Sequence, residues 1–289
     1  EVVGSRISEK QKEAPLTIES MDIIAIRETP AANFYEGLGQ LKGVDLTSAS
    51  IGFKIINTRG FNSSSPVRSL QIIDGVDNAS PGLNFSLGNF LGASDLDVSK
   101  VDLVVGASSA FYGPNAFNGV ISMNTRNPFY NTGLEYSFKT GNRGLHEHAI
   151  RFADVIKNKK GEDKFAYKFN IYYLKVNDWE ADNYSPTPQS KSGINNPGGY
   201  DAVNIYGDEY LNGLDFNNNA KDYPGLGIIT RKGYRESDLV DYSTENLKLG
   251  TALHYKLRPE TELIYAFNFG TGSTIYQGDN RYEIGRAHV

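Results

Sequence analysis

Leu247-Lys248-Leu249-Gly250-Thr251-Ala252-Leu253-His254-Tyr255-Lys256-Leu257 alternates, residue by residue, between a large apolar or threonine side chain and a polar or small one. Successive side chains on a β-strand point to opposite faces, so the stretch specifies one long strand with an apolar face and a largely polar face. The pattern recurs upstream. Leu134, Tyr136 and Phe138 alternate with Glu135, Ser137 and Lys139, and Phe165, Tyr167, Phe169, Ile171 and Tyr173 with Ala166, Lys168, Asn170, Tyr172 and Leu174. Alternation alone favours a soluble sandwich with one solvated face, because soluble β-proteins are commoner and each segment's signal is weak. Length favours the membrane: the segments run to about 9–11 residues or more, the span of a tilted membrane strand, against about 5–6 in soluble sheets.

Connections add a second clue. Asn158-Lys159-Lys160-Gly161 and Arg258-Pro259-Glu260 are short polar turns, whereas Val176 and Thr244 are separated by a long stretch rich in Asn, Gly, Pro and Asp. Short turns at one end and a long loop at the other is the asymmetry of an outer-membrane barrel. A structureless stretch of that length is foreign to a compact soluble domain.

Before Asn127-Pro128 the pattern is that of a mixed α/β unit. A strand is expected from Leu16 through Ile23, Ile24 and Ile26, then a helix with Thr29 as cap, Pro30 as its first residue, and Ala31, Phe34, Tyr35, Leu38 and Leu41 at helical spacing. Further strands are expected at Lys54–Thr58, Leu70–Ile73, Val101–Val105 and Val120–Thr125, each beside a turn pair or a glycine. Between Asp74-Gly75 and Leu96 the composition reads as a loop carrying exposed Phe85 and Phe90, and Ser108 to Tyr112 as one helical turn.

Composition bounds the function. Aromatics are 12%, with 18 Tyr and 15 Phe against 1 Trp, and there are 30 Gly, a β-rich profile with many turns. A net charge of −5 offers no basic field for nucleic acid. With no cysteine there is no disulfide framework or thiolate metal site, and no run of 18 apolar residues forms a transmembrane helix. The chain opens at Glu1 without a leader, so export would need an upstream segment, and residues 284–289 resemble the read-through of a sequencing adapter.

No constellation argues for catalysis, a metal or a cofactor. His146 and His148 share one strand face but lack a visible third ligand. Asp95 and Asp97 suit the flank of a short helix better than an acid and base pair, and Gly37-x-Gly39-x-x-x-Gly43 misses the dinucleotide spacing.

Four pieces, in order, carry a family resemblance: Ile56-Asn57-Thr58-Arg59-Gly60-Phe61; Gln71-Ile72-Ile73-Asp74-Gly75-Val76; Val101 to Gly113, with Asp102, Gly106 and Tyr112; and Asn118-Gly119-Val120-Ile121-Ser122-Met123-Asn124-Thr125-Arg126. Each is short, but together they resemble the plug of TonB-dependent outer-membrane receptors. The glycines at 60, 75, 106, 113 and 119 sit where tight reversals favour a residue without Cβ. The chain departs from the family pattern at Asp102, Val105 and Ala107, where Glu, a basic residue and Pro are usual. In relatives, charged plug residues such as the one matched by Arg59 pair with acids on the barrel wall, and Val105 puts that lock in doubt.

The expected fold is therefore an α+β plug, a small mixed sheet with short helices, followed by antiparallel strands of an incomplete transmembrane β-barrel. The expected division is a TonB-box-like linker at 1–14, plug at 15–128, barrel strands and a long extracellular loop at 129–283, and the tail at 284–289. The resemblance implies uptake of an iron chelate, haem, cobalamin or oligosaccharide through the outer membrane, driven by a TonB-type inner-membrane partner that pulls an N-terminal box. Glu1, Val2 and Val3 resemble the end of that box, suited to adding a strand to a partner sheet. Expected ligand contacts are Phe61, Asn62, Ser63, Asn84, Phe85 and Phe90 on plug loops and Trp179 and Tyr184 on the long loop, because loops on a rigid scaffold carry binding and exposed aromatics stack on ligands. Expected partners are outer-membrane lipid, a nutrient ligand, the TonB-type protein and a surface lipoprotein. The competing expectation is a soluble β-rich binding or adhesion protein.

Overall fold

The computed structural model describes residues 17–61, 63, 66–80, 82–180, 221–223, 227–229, 240–277 and 282–288. The expectations for Glu1, Val2, Val3, Asn62 and Tyr184 lie outside these residues.

The N-terminal unit opens with strand β1 (Ile18–Asp22) and helix α1 (Ile23–Glu28). A single continuous strand was expected here. Asp22 ends it, because its carboxylate accepts from the Ala25 N–H at 2.8 Å and caps a helix that the isoleucine run alone would not announce. Thr29 is accordingly the C-cap of α1, not an N-cap, and Pro30 precedes the next helix instead of starting it. That helix, α2 (Phe34–Gly37), is capped by Asn33 and continues as a 3-10 turn at Leu38–Gln40. Its Phe34, Tyr35 and Leu38 are buried, as their spacing requires.

Next come β2 (Val44–Ser48) and β3 (Lys54–Thr58), paired as an antiparallel hairpin, then β4 (Leu70–Ile73), β5 (Val76–Asp77), β6 (Val98–Val105), the short helix α3 (Ser109–Tyr112) and β7 (Gly119–Thr125). The central sheet has the order β1-β6-β7-β4-β5, with β4 and β7 parallel and the other pairs antiparallel. One face buries Met21, Ile26, Phe34, Leu38, Val101, Leu103, Ile121 and Met123 against the helices, and the other packs Leu70, Val104, Ala116 and Val120. Arg59-Gly60 and Asp74-Gly75 all have positive φ, from 49° to 85°. Two consecutive positive-φ residues define the type I′ turn, and a glycine second is its preferred sequence.

The wall follows: β8 (Gly133–Gly141), β9 (Leu145–Lys157), β10 (Asp163–Asn177), then the small pair β11 (Lys221–Tyr223) and β12 (Gly227–Ile229), and then β13 (Ser243–Arg258), β14 (Thr261–Gln277) and β15 (Tyr282–His288). Six strands run antiparallel in the order β15-β14-β13-β10-β9-β8. The β9–β10 turn is set by Asn158, whose side chain accepts from the Lys160 and Glu162 N–H groups. The β10–β13 connection is the long one, and the sheet is not closed into a barrel.

Burial along the wall is inverted relative to a soluble sheet. On β10, Lys168 and Asn170 are buried while Phe169 (49%) and Ile171 (46%) are exposed; on β13, Asn246, Lys248 and His254 are buried while Tyr255 and Leu257 face out. The registers assemble the outward residues into rows such as Tyr136–Ile150–Ile171–Leu249–Phe269. Outward positions of β10 from Phe165 to Tyr173 are all aromatic or aliphatic, before Lys175 and Asn177. That run is about the 9–11 residues a tilted membrane strand needs. A soluble sandwich would have buried this face, so the competing expectation fails on side-chain orientation.

Candidate functional site

The charged inner face of the wall meets the N-terminal unit along a seam. Asp97, just before β6, is buried; its carboxylate takes Arg151 Nε of β9 at 2.9 Å and Lys168 Nζ of β10 at 2.7 Å. Lys168 also donates to Thr125 Oγ1 at 2.7 Å and to the Arg126 carbonyl at 3.0 Å. Thr125 in turn donates to Asp74 through its N–H (2.8 Å) and hydroxyl (2.5 Å). A turn residue of the expected motif, Asp74, thus reaches the wall through Thr125 in two hydrogen bonds. Asp97 was expected to flank a short helix; it sits in a turn and is an ion-pair centre instead.

A second cluster lies on the neighbouring inward rows. Lys139 of β8 pairs with Glu147 at 2.8 Å and lies 3.8 Å from Asp95, and Tyr172 donates to Glu147 at 3.1 Å. Lys248 stands 4.7 Å over the Tyr172 ring and donates to the Asn89 carbonyl. Burial pushes the Asp95 carboxyl above its ordinary range, with Lys139 opposing and Glu147 adding to the rise. A carboxyl raised by folding binds its proton more tightly in the native state. Its penalty is absent below the unfolded value and grows as pH rises through the raised one. Asp95→Asn is expected to raise the urea midpoint at about pH 8 and leave it unchanged at about pH 3, since an unfolded Asp titrates near 3.9. The side chain keeps 21% exposure, so the gain should stay under about 1 kcal/mol. Midpoints measured at both pH values check this.

Between α1, α2 and β8 is a cavity of 310 Å³ lined in part by Arg27, Asn33, Asp95, Ser137 and Lys139. Higher on the wall the contact changes character. Phe90 and Leu91 are buried against Gly272 and Gly270, where a Cβ would meet the Phe90 ring at 2.6 Å and Leu91 at 2.9 Å. Phe90 was expected to be exposed. The wall's missing side chains make notches that take it, and no local feature of the Gly/Asn/Ser loop signals this.

Phe61 is 51% exposed and edge-on to Phe117 at 5.3 Å, beside an open cleft with Arg68 and Asn115. The Ser63 N–H donates to Asn57 Oδ1, the Asn84 carbonyl accepts from Asn115, Phe85 is half-buried, and half-buried Trp179 follows β10 with its N–H on Asp178. Asn115 brings Phe61 and Asn84 to the same cleft, whereas Phe90 is buried apart from it against the wall. Asp102 binds Ser20 and Lys100 within the N-terminal unit. Gly106 and Gly119 have positive φ; a Cβ on Gly106 would meet the Arg59 guanidinium at 3.0 Å and one on Gly119 the Val104 carbonyl at 3.0 Å. Gly113 also has positive φ, at the end of α3 beside partly exposed Tyr112. Arg59 is exposed and donates to Thr17 Oγ1 at 3.2 Å; among the described residues it has no acidic partner on the wall. At Asp97 the acid is on the N-terminal unit and the bases are on the wall, whereas Arg27 and Arg126 of the N-terminal unit meet the wall's Glu135. His148 bonds Tyr136 at 2.9 Å and lies against Phe138, and no metal-holding cluster occurs among the described residues. Arg151, Lys168, Glu147 and Lys248 are the seam residues not anticipated from the sequence; the available signal was charge repeated on inward strand positions.

Residues 10–120 match the family model described as TonB-dependent Receptor Plug Domain. Among solved structures the chain is similar to a variant of the ferric enterobactin receptor PfeA from Pseudomonas aeruginosa (TM-score 0.54, 17% identity, 94% of this chain and 35% of that one). It is also similar to the copper transporter OprC (0.54, 11%, 93% and 32%) and the ferripyoverdine receptor of the Pseudomonas aeruginosa outer membrane (0.53, 10%, 90% and 26%). The chain thus spans about a third or less of the length of these receptors. No curated protein matches its sequence.

Proposed function

We propose that this chain is the plug domain and adjoining barrel strands of a TonB-dependent outer-membrane receptor and that it serves nutrient uptake, with the plug closing the lumen until a TonB-type partner displaces it. The observation that carries this reading is the inverted wall: apolar side chains outward as for lipid, and charged ones inward onto the plug. A wide barrel cannot fill its own interior with side chains and needs such a stopper. Energy then comes from the partner, and the chain has no need to catalyse a reaction.

Of the ligand classes considered, an iron chelate fits best with the ferric enterobactin and ferripyoverdine named for two similar receptors. The exposed Phe61 and Phe117 rings beside Arg68 supply stacking and a cation for an anionic aromatic chelate. The test is uptake of radiolabelled iron chelates by cells with and without the gene. Uptake that needs the gene, and that a protonophore abolishes, is the expected result. A full gene product that is freely soluble and absent from the outer-membrane fraction would overturn the reading.

A further inference from the structure

We infer that residues 126–131 form a fixed post that holds the carboxy-terminal end of the plug to the wall, with Phe129 as its pin. The segment is tied to four successive wall strands. Arg126 pairs with Glu135 of β8 at 2.6 Å, and Arg151 of β9 donates to the Asn131 carbonyl at 2.9 Å. Lys168 of β10 donates to the Arg126 carbonyl at 3.0 Å. From β13, Lys256 Nζ lies 4.0 Å from the centre of the Phe129 ring, and His254 meets that ring edge-on at 6.2 Å. His254 is itself held by Glu262 of β14 at 2.6 Å.

The pinning is specific to one side chain. Phe129 is 8% exposed while its neighbour Tyr130 is 81% exposed, so crowding of the whole segment does not explain it. A ring face against an ammonium, with an imidazole at the edge, is a favourable arrangement for both polar groups. At the opposite end of the plug, β1 is an edge strand, and α1 meets the wall through Arg27 and Glu135, whose side chains keep 59% and 30% of their exposure. Exposed pairs of that kind contribute little. Residues 18–28 are therefore open to displacement from the wall more readily than the outgoing end, which stays in register with it. The need for such displacement rests on the proposed uptake function; the post does not.

Hydrogen exchange on the protein in detergent micelles tests this. Amides of 126–131 are expected to exchange more slowly than those of 18–28. Phe129→Ala should speed 126–131 by about tenfold or more, by opening that segment alone, while 101–105 stay unchanged. Phe129→Trp should retain the protection, and Lys256→Met, which keeps the stem and loses the charge, should fall between. Equal rates for the two segments in the unaltered protein, or a folded Phe129→Ala protein with no change at 126–131, would overturn the inference. If Phe129→Ala does not fold, an unchanged rate at 126–131 in Lys256→Met overturns it instead. Normal exchange with no chelate uptake would sink only the transport reading; altered exchange order with intact uptake would sink only the post.

Discussion

Asp97→Asn is expected to loosen the plug from the wall by about 3–5 kcal/mol, because removing one partner of a buried ion pair leaves uncompensated charge behind. Here two cations are stranded: the Arg151 and Lys168 side chains are only 0% and 5% exposed. Lys168 keeps Thr125 and the Arg126 carbonyl, and Arg151 keeps the Asn131 carbonyl, but none of these is charged. Urea titration followed by proteolysis within 98–125 should report an earlier transition for the plug than for the wall. Adding Lys168→Met and Arg151→Met to the variant should return part of the loss, since a buried ionic cluster replaced as a whole is often tolerated. A single-variant midpoint shifted by less than about 0.5 kcal/mol, the usual scale for inconsequential surface changes, would count against a buried lock.

Ile171→Arg is expected to cost about 2–4 kcal/mol of wall stability, the penalty of a cation near the midplane of a lipid-facing strand. Ile171 lies in the second outward row below Lys175, flanked in register by Ile150 and Leu249. The amount of folded protein recovered from outer membranes should fall sharply. The same substitution at Asn177, near the strand's outer end, should be tolerated. Equal recovery of both variants would mean that the face is not in lipid.

Much of this organisation was legible from residue order, and the physics says which parts. β3 and β4 were expected at their observed bounds, because Arg59-Gly60 and Asp74-Gly75 supply the chemistry of their turns. The wall was legible because period-two alternation runs from Phe165 to Leu174 in β10 and from Asn246 to Leu257 in β13. Local competition misled the reading at Ile23–Glu28: β-branched residues argue for strand, yet a single capping carboxylate at Asp22 converts them to helix. The seam was out of reach for a different reason. Asp97 finds Arg151 and Lys168 at sequence separations of 54 and 71 residues, and only the folded register brings them together. Phe90 illustrates the same limit, since its burial depends on glycines in β14.

The polar character of the seam sets how its hold on the plug varies with temperature. Parting the ion pairs and hydrogen bonds around Asp97 exposes little hydrocarbon, so that part of the seam should show a small heat-capacity change, the apolar share being carried by Phe90 and Leu91. Adhesion built on greasy contact fades on cooling, whereas this one should grip a chilled cell about as firmly as a warm one.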